Sequence, residues 1–208
     1  MKKKLMKLYQ KMLDRFGPQE WWPGDTPWEI CAGAVLTQNT NWGNVEKAIA
    51  NLKELNALCP RRICEMPSPE LAEAIRPSGY FNLKAVRLRC VAEWWLQNVK
   101  NDKLAQKKNL QYWRHSILEV KGVGPETADS ILLYSFDLPT FVIDTYTKRI
   151  MARHFGTEPE IDYHELQALF MNNLPDDPEL FNEFHALFVR TAKETCIKKE
   201  CKSDCPLK

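Results

Sequence analysis

The sequence predicts an all-α protein. Apolar residues recur at helical spacing through most of the 208 residues, and the longest strand-like run is only Pro139 to Ile143. Breakers such as Gly17-Pro18, Pro23-Gly24 and the Leu174 to Pro178 run fall between the periodic stretches, where helices would end. No internal repeat and no low-complexity tract interrupts this pattern.

The first helix is predicted over residues 2–16, where Leu5, Leu8, Tyr9, Met12, Leu13 and Phe16 form one apolar face. Trp21-Trp22-Pro23-Gly24 reads as a loop, because Pro and Gly both interrupt it. A second, apolar helix runs from Pro27 to Leu36, and the polar Thr37 to Trp42 segment joins it to a third over 45–58, with Pro60 ending the junction after it. A short helix over 70–75 leads into a turn at residues 76–82, which opens a long helix over 83–99. Asp102 to Lys108 reads as a polar connection, and Gln111 to Glu119 as the next helix.

The stretch from Lys121 to Asp144 narrows the function most. Gly122-Val123-Gly124 forms a turn, and Pro125 suits the first position of a helix whose unpaired N–H groups point outward. The run Ile131-Leu132-Leu133 needs burial against the preceding helix, which makes a helix–hairpin–helix. Phe141-Val142-Ile143 then forms a short buried approach that delivers Asp144 to the mouth of a helix over 145–154, where an aspartate is ordinarily an N-cap. Helices over 163–172 and 180–196 complete the chain, and His185, beside the apolar stripe of the last one, reads as a satisfied core or groove histidine rather than a ligand.

Composition narrows the classes. A net charge of +2 excludes a polycation, so any nucleic-acid surface must arise from local asymmetry. Lys2 to Lys11, Lys100 to Lys108 and Lys198 to Lys208 are locally basic, although solvated faces would look the same. No window approaches the ~20 apolar residues of a membrane span, and MKKKLMKLYQ lacks the apolar core of a secretory signal. Seven cysteines, an odd number, fit a reducing compartment, and the cytosol is expected. Cys31, Cys59, Cys64 and Cys90 read as ordinary buried thiols.

The residues Leu118 to Ala128 (LEVKGVGPETA) and Val142 to Ile150 (VIDTYTKRI) resemble the endonuclease III superfamily of DNA glycosylases, whose hallmark is a helix–hairpin–helix, a Gly/Pro-rich loop and an aspartate. The likeness covers nearly the whole chain. It implies one helical lobe over 27–138, a second built from 1–26 and 139–208, and an active-site cleft between them. It also implies a partner, double-stranded DNA carrying damaged bases, bound by a monomer. In such enzymes the target base is flipped out of the duplex. By resemblance Asp144 is the catalytic carboxylate, Gln38 enters the vacated hole, and Tyr80 wedges between bases in the Gly79 to Ala85 element that also contains Lys84. Lys121, Gly122, Val123 and Gly124 would hold the DNA backbone, with the Val123 and Gly124 N–H groups on a phosphate.

Two departures refine that expectation. Bifunctional relatives carry a lysine two residues after the second hairpin glycine, whose amine forms an imine with the sugar. Glu126 stands there, so a glycosylase without lyase activity is expected. Trp21-Trp22-Pro23, Gly33 to Thr40 and Arg76 to Gly79 bring the chain nearest to the 3-methyladenine DNA glycosylase III group, which implies a base pocket lined by Trp21, Trp22, Pro23 and Trp42. An N-alkylated purine is cationic and electron-poor, so aromatic faces attract it. Removal of oxidised or mismatched pyrimidines, and non-catalytic DNA binding, are the competing readings.

The second departure is the tail. Endonuclease III holds a [4Fe–4S] cluster on C-x6-C-x2-C-x5-C, whereas this chain has Cys196, Cys201 and Cys205 spaced C-x4-C-x3-C. An incomplete remnant with no cofactor is expected, the other possibility being a cluster held by three thiolates and one non-cysteine ligand.

Overall fold

The computed structural model describes residues 1–99 and 109–208, so the basic stretch Lys100 to Lys108 and the connection Asp102 to Lys108 lie outside the described residues. Among the described residues the chain forms eleven α-helices and one 3-10 turn, with no strand. They fall into two compact units, one formed by Pro23–Leu138 and the other by Met1–Trp22 with Pro139–Lys208.

The 23–138 unit contains α2 (Pro27–Leu36), α3 (Trp42–Glu54), α4 (Pro60–Glu65), α5 (Ser68–Ala74), the 3-10 turn Arg76–Ser78, α6 (Phe81–Asn98), α7 (Leu110–Leu118) and α8 (Pro125–Phe136). Its helix starts are written in the sequence: Thr26 accepts the Glu29 N–H ahead of Pro27, and Asn41 accepts the Asn44 N–H. The Asn41 cap starts α3 at Trp42, three residues before the expected boundary. That helix ends at Glu54, not Leu58, because Asn56 turns into the left-handed region at φ 50°. Helix α4 was not expected at all; Pro60 opens it rather than ending a junction, and with Ile63 its one buried residue it offers no periodicity to read. The adjoining Cys59 is exposed and Cys64 and Cys90 are half-buried, which leaves Cys31 as the buried thiol of those four.

Tryptophans build much of this core. Trp94, Trp95 and Trp113 surround Phe136 with ring centroids 5.3 to 6.3 Å away, and Trp28 meets Trp95 edge-on at 5.3 Å. Helices α7 and α8 are the two arms of the hairpin, cross-braced by Arg114, whose Nε and Nη2 donate to the two oxygens of the buried Asp129 at 2.8 and 3.1 Å.

The other unit contains α1 (Lys2–Phe16), α9 (Thr145–Phe155), α10 (Tyr163–Met171) and α11 (Pro178–Glu194). Leu5, Leu8 and Met12 are buried on α1, and Tyr9 meets Phe184 of α11 at 5.2 Å. Phe141 lies flat on Phe170, centroids 3.9 Å apart, and Phe181, Phe184 and Phe188 present edges to it. This aromatic nest anchors Phe141-Val142-Ile143, all at most 1% exposed, and so fixes where Asp144 emerges. No helix among the described residues is long and apolar enough to cross a membrane.

Candidate active site

Asp144 is the N-cap of α9, and its Oδ1 accepts the Thr147 N–H at 2.7 Å. Its Oδ2 lies 3.6 Å from Nε2 of His185, which α11 brings in from the far end of the chain. Burial by itself pushes the Asp144 carboxyl up, but the His185 charge, the contact with that ring and the bonds to Thr147 together hold it below its ordinary value. The side chain keeps 12% exposure, enough to present an ionised carboxylate at a surface. His185 is buried and faces Asp144. It sits on a helical face that the sequence shows to be apolar, and no sequence signal points from it to Asp144.

In the same unit Trp21 and Trp22 are half-buried and meet edge to face, their centroids 5.1 Å apart. The other two expected pocket residues, Pro23 and Trp42, line one cavity of about 280 Å³ in the 23–138 unit together with Asp25, Glu29, Glu46 and Lys53. Trp42 is oriented there by its indole N–H, which donates to Glu46 one turn along α3 at 2.8 Å. Lys53 pairs with Asp25 and Glu29 at 2.7 and 2.8 Å, so the wall carries an acidic surplus.

The hairpin is more tightly tied than the sequence shows. Gln38 donates from Nε2 to the Gly122 carbonyl at 3.1 Å and to the Thr127 hydroxyl at 3.0 Å, while its Oε1 accepts from Arg87 at 2.5 Å. Gly122 adopts φ +89°, and a Cβ there would lie 2.4 Å from Cγ of Arg87. Only glycine meets both demands. Arg87 was not anticipated, because nothing in the spacing of α6 ties it to a glycine thirty-five residues on.

The expected contact residues differ in what they offer. The Val123 N–H donates to the Val120 carbonyl at 3.0 Å, so it is spent inside the turn and does not reach for a phosphate. Gly124, in contrast, is the N-cap of α8 and supplies no side-chain cap, leaving the positive end of that helix to face an anion. Lys84 is 1% exposed, and its ammonium donates to the carbonyls of Leu36 and Ser78 at 2.7 and 2.6 Å. Burial, with the Arg87 charge behind it, pulls its pKa down to about 8. Lys84 thus braces the α2 end against the 76–78 turn instead of meeting DNA. Lys121 is exposed, and Tyr80 is the most open aromatic in its unit, 69% exposed with a left-handed backbone at φ 47°.

The profile of the HhH-GPD superfamily base excision DNA repair proteins matches residues 32–176. The chain belongs to that superfamily. A protein of Methanocaldococcus jannaschii provisionally named the DNA repair glycosylase MJ1434 is 43% identical over 206 residues, spanning 98% of this chain and 94% of its own. The crystal structure of H. pylori 3-methyladenine DNA glycosylase MagIII bound to 1,N6-ethenoadenine superposes with a TM-score of 0.74 at 31% identity, covering 93% of this chain and 95% of that one. A non-covalent endonuclease III–DNA complex gives a TM-score of 0.83 at 20% identity over 100% of this chain and 93% of that one, which shows a shared fold.

As an HhH-GPD DNA glycosylase, the chain shows its individuality in side chains. Glu126 occupies the exposed first turn of α8, and Lys148, one turn into α9, gives its ammonium to the Ile161 carbonyl at 2.6 Å. The tail cysteines gather in the unit that holds Asp144, around a histidine that no cysteine spacing points to: Nε2 of His154, in the last turn of α9, lies 3.6, 3.4 and 3.9 Å from the sulfurs of Cys196, Cys201 and Cys205. This donor set is not the four-cysteine set of the [4Fe–4S] members of the superfamily.

Proposed function

We propose that this HhH-GPD protein is a monofunctional DNA glycosylase that binds damaged double-stranded DNA as a monomer, flips out alkylated purines such as 3-methyladenine and releases them by hydrolysis. The observation that carries this reading is the Asp144 carboxylate, held as an anion by His185 and Thr147, in a chain whose imine-forming position is Glu126. As the C1′–N bond breaks, its electron pair leaves with the purine and neutralises the alkylation charge. The sugar left behind is an oxocarbenium ion, and Asp144 stabilises it until water adds at C1′ and loses a proton. No amine is needed for that sequence, and Glu126 cannot supply one.

The substrate class rests on pocket chemistry. Trp42, with Trp21 and Trp22 by resemblance, offers ring faces worth ~0.5–2 kcal/mol to a cationic base, and the acidic wall beside Trp42 favours the same charge. The 1,N6-ethenoadenine bound to the similar MagIII enzyme supports a modified adenine as the ligand class. Because N-alkylation already weakens the glycosidic bond, stacking plus one carboxylate is sufficient catalytic equipment. Gln38, Tyr80, Lys121 and the Gly124 end of α8 would hold the opened duplex.

Incubation with duplexes carrying 3-methyladenine, 7-methylguanine, thymine glycol or a T·G mismatch tests this directly. Free alkylpurine in solution, with the strand intact, is the expected product. Release of thymine glycol or mismatched thymine instead would move the protein to the pyrimidine reading, and release of no base from any duplex would leave only DNA binding.

A further inference from the structure

The geometry points to a single zinc ion held by His154, Cys196, Cys201 and Cys205, a mononuclear site standing where a [4Fe–4S] cluster would be looked for. The donor distances decide between the two. Tetrahedral zinc, with Zn–S near 2.3 Å and Zn–N near 2.0–2.1 Å, places a nitrogen about 3.6 Å from each sulfur and the sulfurs about 3.8 Å from one another. Here the three N···S distances are 3.6, 3.4 and 3.9 Å, and the His154, Cys201 and Cys205 donor atoms all lie within 4.8 Å of one another. A four-iron cube gives each ligand its own iron and stands between them, so its outer donors cannot crowd around one point. His154, Cys201 and Cys205 converge on one point, and Cys196, 3.6 Å from the same nitrogen though outside that tight group, is the fourth donor of a Cys₃His set of structural zinc.

The surroundings are those of a built site. Arg153 donates to the Cys196 sulfur at 3.5 Å and to the Ile197 and Lys198 carbonyls at 2.6 and 2.7 Å, while Arg149 holds the Cys196 carbonyl at 3.0 Å. Lys208 reaches back to the Cys201 carbonyl at 2.7 Å. These cations offset the net negative charge of a zinc ion with three thiolates. Residues 197–208 contain no helix, yet Cys196 is fully buried and Cys205 is 5% exposed. A segment with so little apolar surface needs a cross-link to hold that shape, and zinc joining the end of α9 to the tail supplies it.

The test is metal analysis of the full chain, purified without oxygen from cells given both iron and zinc, so that an oxygen-labile cluster would survive. One zinc per chain with no acid-labile sulfide is expected. Iron with sulfide overturns the proposal, as does a folded protein that carries no metal and takes up neither Zn²⁺ nor Co²⁺. Cobalt substitution should give the visible bands of a tetrahedral thiolate site. His154→Ala should weaken zinc binding about 10-fold or more in competition with a chelator, and His154→Cys should retain it. Circular dichroism guards against misfolding of either variant, and equal zinc affinity in a folded His154→Ala protein would remove His154 from the site and refute the inference.

Discussion

His185 Nε2 lies 3.6 Å from Asp144 Oδ2, while the other oxygen of that carboxylate accepts the Thr147 N–H at 2.7 Å. One side chain is thereby gripped from two directions. The helix cap sets its position, and the histidine biases its charge.

Asp144→Asn keeps an oxygen for the cap and removes the charge. Base release should fall by about 10²-fold or more, as when a group serving only developing charge is removed, while DNA affinity stays within a few-fold. Single-turnover release and equilibrium binding on the same duplex check both, and near-normal turnover would take Asp144 out of the mechanism.

His185→Leu should shift the acid limb of the pH–rate profile upward, because the His185 charge and contact both hold the Asp144 carboxyl down. The linked stability follows the same sign. A carboxyl depressed below its ordinary 3.8 contributes stability that is fully present above that pH and fades as pH falls through the native value. The melting difference between wild type and Asp144→Asn should therefore narrow only below about pH 4.

Borohydride should trap no covalent complex, and abasic strands should remain intact. Glu126 cannot form an imine, and the Lys148 amine is engaged with Ile161. A trapped adduct on denaturing gels would redirect attention to Lys121 or to a released Lys148.

Trp42→Ala should cost about 1–3 kcal/mol in transition-state stabilisation if the ring stacks on the flipped base, and Trp42→Phe much less, since a π-face remains. A purely anchoring tryptophan would instead lose roughly 3–5 kcal/mol of stability. Melting and excision measured on the same two variants separate these outcomes.

Gly122→Ala puts a methyl group into Arg87 at a backbone angle that disfavours it, and should cost about 1–3 kcal/mol of stability. DNA affinity should fall with it. Adding Arg87→Ala should recover part of the stability, and strict additivity in the double variant would show that the two do not collide.

The sequence alone determined the helical class, the hairpin, the N-cap position of Asp144 and the glutamate at the imine position, all properties of residues near one another along the chain. Even where it misplaced an element, as at α4 and the end of α3, the cause was local: a helix too short to show a period, and an asparagine turned left-handed. Tertiary structure alone decided what each buried face meets. It buried Lys84, laid Arg87 over Gly122, set His185 against Asp144 and completed three cysteines with His154. Helical periodicity reports that a face is covered, and the chemistry of a site depends on which distant side chain covers it; that choice is made by packing, which no spacing along the chain encodes.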